Sequence, residues 1–127
     1  MTALFVNCAA MRGGVLHDNI APYPFLGEAR TAPRYRFYSV RDEFAGLHPA
    51  GDGVTITGEL YDVPLEVIGE RFMPAEPPEF ELGVIALADA GAALGVVLRS
   101  TQGETGRYRD ISGWGGWRSY ERSLGRR

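Results

Sequence analysis

The sequence contains no lysine: all 13 of its basic side chains are arginines. Schiff-base chemistry on a side-chain amine is therefore excluded, and with it a lysine general base. Cysteine is nearly as scarce. Cys8 stands alone, so no internal disulfide can form, no zinc-ligand spacing exists, and no metal site is expected. Histidine is limited to His17 and His48. There is no apolar run long enough to span a bilayer, so no membrane association is expected. The opening Met1-Thr2-Ala3-Leu4-Phe5-Val6 has neither a basic start nor a long apolar stretch. That argues against a signal peptide and leads us to expect a cytoplasmic protein. With a net charge of −3, nothing electrostatic calls for nucleic acid or an anionic membrane.

What is present suits one globular domain: 127 residues, 45% hydrophobic and 23% charged. We expect a single domain over residues 1–127. Leu4-Phe5-Val6 reads as a short buried strand. It runs into Asn7-Cys8-Ala9-Ala10-Met11-Arg12-Gly13-Gly14, a loop rich in small side chains and closed by two glycines. Residues 15–20 allow a helical turn before Pro22 and Pro24 stop it. In residues 31–40, Tyr35, Phe37 and Ser39 alternate with Arg34, Arg36 and Tyr38, the period of a strand. Residues 46–53 contain Pro49 and several glycines and read as a loop. Residues 54–63 are the clearest strand, with Val54, Ile56, Gly58 and Leu60 on one face and Thr55, Thr57, Glu59 and Tyr61 on the other.

A helix is expected from Pro64 to Arg71, with Leu65, Ile68 and Phe72 on its apolar side. Residues 73–79 carry Pro74, Pro77 and Pro78 and predict a stiff, extended connection. Apolar strands over 81–88 and 93–100 flank the turn Asp89-Ala90-Gly91. Ser112 is expected to cap a short helix running from Gly113 towards Tyr120. Many short strands with little helix predict an α+β fold, a small mixed β-barrel with short flanking helices.

Four blocks carry a resemblance. They are Thr31-Ala32-Pro33-Arg34-Tyr35-Arg36-Phe37-Tyr38, Gly58-Glu59-Leu60-Tyr61-Asp62-Val63-Pro64, Leu82-Gly83-Val84-Ile85-Ala86-Leu87-Ala88-Asp89, and Arg109-Asp110-Ile111-Ser112-Gly113-Trp114-Gly115-Gly116-Trp117-Arg118-Ser119-Tyr120. In this order they resemble the C-terminal domain of allophanate hydrolases, within the γ-glutamylcyclotransferase-like (AIG2-like) superfamily. That group has a Tyr-Gly-Ser/Thr-Leu-x-x-Gly loop after its first strand, whose backbone N–H groups hold a substrate carboxylate. The resemblance places Asn7, Cys8, Ala9, Ala10, Met11, Arg12 and Gly13 in that loop as ligand-binding residues. The allophanate hydrolase loop reads Gly-Ala-His-Leu-x-Gly, so Ala10 stands where its histidine would be.

The same resemblance implies a glutamate general base, and Glu76 falls closest to its position. The plainer reading makes Glu76 and Glu79 solvated charges on a proline-rich loop. His17 follows the loop and is either a ligand contact or a surface residue. Cys8 is either a nucleophile or, on the simpler reading, a buried inert thiol. Arg34, Arg36, Arg109 and Arg118 suit carboxylate binding or ordinary ion pairs. Trp114, Trp117 and Tyr120 line a pocket or pack against the barrel.

Three functions follow as expectations. The first is a stand-alone allophanate hydrolase C-terminal-like domain that binds or acts on a small carboxylated amide or carbamate, in urea or allophanate nitrogen metabolism. The second is a non-catalytic module assembling with an amidase partner or as a homodimer. The third is γ-glutamylcyclotransferase-type cyclisation. No cofactor is expected for any of them, and the ligand is a small carboxylate or carbamoyl compound.

Overall fold

The computed structural model describes residues 2–99 and 107–126. Its strands are β1 (Ala3–Val6), β2 (Phe25–Arg30), β3 (Tyr35–Val40), β4 (Phe44–Pro49), β5 (Thr57–Asp62), β6 (Phe80–Ala86), β7 (Ala92–Leu98) and β8 (Arg109–Asp110). Short helices α1 (Leu65–Val67) and α2 (Met73–Ala75) flank a π-helical turn, Ile68–Phe72, and α3 (Trp117–Ser123) lies near the C-terminus. No helix of the described residues is long and apolar enough to cross a membrane.

The strands form one mixed sheet in the order β2-β5-β1-β7-β4-β3-β8, with β6 also paired to β7. β6 occupies one whole edge of β7, from Phe80↔Leu98 to Ala86↔Ala92. The other edge is shared: β1 runs parallel to it at Leu94 and Gly95, and β4 runs parallel to it at Val97. A strand has two edges, so β1 and β4 part company along β7 and leave a fork between them. At the other side of the sheet, Thr31 bridges Leu87, the Ala32 N–H donates to the Ala86 carbonyl and the Ala88 N–H to the Arg30 carbonyl. These links tie the end of β2 to the end of β6 and curl the sheet into a half-barrel. Leu4, Phe5, Phe37, Leu47, Ile56, Ile68, Phe72, Phe80 and Ile85 fill its interior.

Several elements differ from the sequence reading. Residues 44–49, expected as loop from Gly46 on, are strand β4, paired in register with β3 from Tyr35↔Pro49 to Val40↔Phe44. Gly46 is there for space: a Cβ would lie 2.6 Å from the Phe80 ring. β2 was not expected at all, since its outward side chains Phe25 and Leu26 lack the alternation that marks a half-buried strand. In β5 the polar face is only partly open: Thr57 is exposed, but Glu59 and Tyr61 are as buried as Gly58. The helix after Pro64 buries Ile68 and Phe72 but leaves Leu65 60% exposed. Met73–Ala75 continues as helix, and the extended stretch starts only at Glu76. Ser112 caps no helix. Its hydroxyl accepts the Phe37 N–H at 2.8 Å, and α3 begins later, after Gly116.

Candidate functional site

β1 delivers the chain into the loop of residues 7–14, beside the fork between β1 and β4. The loop folds back on itself. The Met11 N–H donates to the Cys8 carbonyl at 3.2 Å, the Gly14 N–H to the Met11 carbonyl at 2.8 Å, and the Leu16 N–H to the Ala9 carbonyl at 2.9 Å. Gly14 is obligatory for this closure, because a Cβ there would sit 2.1 Å from the Ala9 oxygen. Among the described residues, the N–H groups of Cys8, Ala9 and Ala10 donate to no backbone carbonyl. The Ala9 N–H lies against the Cys8 sulfur, and the N–H groups of Cys8 and Ala10 remain for an oxyanion or carboxylate, the property such a cradle needs.

Two spaces border this loop. The inner one is a chamber of about 10 Å³, with Asn7, Cys8, Ala9 and Ala10 on one side and Phe72 and Glu76 on the other. It has room for about one water. Glu76 reaches it from the end of α2, where the backbone turns extended. Loss of water pushes the Glu76 carboxyl up to about 7. Burial also pushes the Cys8 thiol well above its usual value, against the Ala45 N–H that donates to Sγ at 3.1 Å; the Glu76 charge adds to the rise. Cys8 is thus a buried wall of the chamber, in surroundings that disfavour the reactive thiolate.

The outer space is an open cleft of about 550 Å³ between the loop and α3, bordered by Met11, Arg12, Gly13, Trp117, Arg118 and Arg122 among others. Cys8 and Ala9 border both spaces.

Behind the cleft, Glu59 clasps the site together. It is 0% exposed. It accepts the Arg12 N–H at 2.9 Å, Arg12 Nε at 3.1 Å, Arg118 at 3.1 Å and the Tyr61 hydroxyl at 3.0 Å. Burial acts to raise its pKa, but these donors more than offset it and hold the carboxyl below its ordinary range. Tyr61 responds in the opposite sense: burial, then the Glu59 carboxylate, push its hydroxyl up to about 12. Arg118 also donates to the Arg12 carbonyl at 2.8 Å. Both backbone groups of Arg12 are thereby held, one by β5 and one by α3.

The remaining sequence candidates separate. His17 borders neither space; its Nδ1 lies 3.0 Å from the Ala10 carbonyl and its ring packs on Tyr61, so it holds the loop from behind. His48 lies 3.0 Å from the Pro49 carbonyl, away from the loop. Glu79 is paired with Arg41 at 2.5 Å, and Arg36 with Asp110 at 3.0 Å. Arg109 stacks over Trp114 and Tyr120. Trp117 and Tyr120 are buried in the core. Glu59 and Tyr61 are what sequence reasoning missed. The pattern Gly58-Glu59-Leu60-Tyr61 alternates, but alternation cannot show that both faces are covered.

The family model of the allophanate hydrolase C-terminal domain matches residues 2–122. The chain belongs to that family. Among solved structures, the chain resembles c4763, a uropathogenic E. coli-specific protein, with 33% identity and a TM-score of 0.84 over 94% of each chain. It also resembles the allophanate hydrolase of Kluyveromyces lactis, with 24% identity and a TM-score of 0.81. That match covers 97% of this chain but only 21% of the yeast enzyme. An AIG2-like protein from Mus musculus shares the fold at 17% identity and a TM-score of 0.69, over 87% of this chain and 85% of the mouse one. No curated protein matches the sequence.

Proposed function

We propose that this domain binds and acts on a small carboxylated amide or carbamate at the loop of residues 7–14, with Glu76 as the group that moves the proton. One observation carries the reading: Cys8, Ala9 and Ala10, whose N–H groups donate to no backbone carbonyl, line one chamber together with Glu76. A carboxyl with a pKa near 7 is divided between its acid and base forms at neutral pH. It can take a proton from an attacking group and return it to a leaving nitrogen. The loop donors suit the oxygen that gains charge in such a step. A role in urea or allophanate nitrogen metabolism is the setting the family suggests, with an amidase or a second copy of the chain as partner. Cyclisation of a γ-glutamyl amide uses the same two elements and stands as the neighbouring activity.

A second reading has its own support. The chamber holds about one water, so a substrate reaches Glu76 only if Phe72 or the loop moves. If they do not move, the domain is a binding module. The test is a turnover screen of carbamoyl and γ-glutamyl compounds, repeated with Glu76→Gln. Activity that falls by about 10²–10⁴-fold in the variant supports the proton-transfer role. Full activity in the variant removes Glu76 from the mechanism, and no turnover of any compound leaves the binding module.

A further inference from the structure

The outer cleft carries a charge pattern that the Glu76 reading does not use. Arg118 and Arg122 lie one turn apart on the same side of α3, and Arg126 follows after the helix end, where it donates to the Asp42 carbonyl. Arg12 faces them from the loop, and all four border the cleft. Their acidic neighbours in the cleft are Glu43 and Glu121. Even with the buried Glu59 counted, four arginines meet three carboxylates. This positive surplus sits in a molecule whose net charge is −3.

Two of the arginines are held in advance. Arg12 is pinned through Nε to Glu59 and lies 4.3 Å over the Phe25 ring. Arg118 spends one terminal nitrogen on Glu59 and the Arg12 carbonyl. Each guanidinium keeps further N–H donors, and its side chain remains about half exposed, at 53% for Arg12 and 45% for Arg118. A guanidinium fixed by a buried carboxylate loses little freedom when it binds a second anion. Arg122 forms no ion pair among the described residues and is exposed. The exposed Val15 supplies apolar surface beside the charged groups, and the buried Met11 and Trp117 also border the cleft. The cleft volume, about 550 Å³, falls in the range of small-molecule sites.

We propose that this cleft binds a short-chain dicarboxylate. Arg118, with Arg12 behind it, receives one carboxylate and Arg122 the other. Residues one helical turn apart have Cβ atoms roughly 5–6 Å apart, so Arg118 and Arg122 can present two guanidiniums to one small molecule, whose length we set at about four or five carbons. Site and ligand class do not depend on Glu76 being a base, because Glu76 does not border the cleft.

Calorimetric titration with glutarate at fixed ionic strength tests this, with glutaramide, butyrate and inorganic phosphate as comparisons. Saturable glutarate binding is expected, with the neutral diamide silent and butyrate at least about tenfold weaker. Arg122→Gln should weaken glutarate by about tenfold, and Glu121→Gln should tighten it by about threefold, both with unchanged thermal midpoints. Opposite shifts from two neighbouring surface variants are not a signature of damaged folding. The proposal is overturned by glutaramide or butyrate binding as well as glutarate, by Arg122→Gln binding like the parent, or by no saturation below about 10 mM. Phosphate binding more tightly than glutarate would also overturn it, marking a general anion patch.

Discussion

Glu76 and Glu59 are both withdrawn from water, and their neighbours send them in opposite directions. Glu76 meets burial with no compensating charge, so its folded pKa rises to about 7 from 4.5. A raised carboxyl pKa means that the folded state holds its proton more tightly than the unfolded chain. The stability this contributes is present at low pH and is given up as pH climbs from the unfolded value to the folded one. Glu76→Gln has no proton to lose. Between pH 5 and pH 8 the parent should therefore lose about 2–3 kcal/mol relative to the variant, read from urea unfolding at both pH values. An equal gap at both would show that the carboxyl is solvated. Glu59 has the reverse sign: its lowered pKa makes its contribution present above the unfolded value and lost as pH falls through the folded one. Acid and alkaline sensitivity thus have separate residues behind them.

Elements meet at Glu59. β5 supplies the carboxylate, the loop supplies Arg12, and α3 supplies Arg118. The loop's shape is consequently set by two parts of the chain distant in sequence, with His17 holding the Ala10 carbonyl as a third restraint. Glu59→Gln keeps the size and removes the charge, leaving two guanidiniums without their acceptor. We expect a loss of about 2 kcal/mol in chemical denaturation, below the cost of a fully buried pair because both arginines stay half exposed. A change under about 0.5 kcal/mol would mean that the clasp is incidental. On the other side of the loop, the π-helical turn Ile68–Phe72 brings Phe72 to the chamber wall and leads into α2 and Glu76. Such turns put an extra residue into a helix and often mark functional positions.

At the scale of the molecule, the C-terminal segment is part of the core. Tyr120 is 0% exposed, its hydroxyl donates to Asp42 at 2.5 Å, and Ser112 accepts the Phe37 N–H of the central sheet. Both tryptophans, Trp114 and Trp117, lie in this segment, whereas far-ultraviolet circular dichroism reports chiefly on the sheet. The two signals should therefore follow one denaturation curve, as in a small two-state domain. A tryptophan transition that precedes the dichroism change would show that the segment undocks by itself.

Local chemistry made much of this protein legible in its sequence. Alternation marked β3, apolar runs around Asp89-Ala90-Gly91 marked the β6–β7 hairpin, small side chains and two glycines marked the loop of residues 7–14, and four blocks carried the family. Glu76 was legible only through that family resemblance; composition alone makes it a solvated charge. The tertiary structure decided the rest. β4 looked like a loop because Gly46 and Pro49 are read as breakers, yet the glycine is demanded by the Phe80 ring across the sheet. The burial of Glu59 was not legible because a strand's pattern describes its own two faces and not what covers them. Its partners, Arg12 and Arg118, lie 47 and 59 residues away in the chain, and a pairing at that separation has no local signature. The fork that makes the chamber is also a property of pairing: β1 and β4 must share one edge of β7 before any space opens between them.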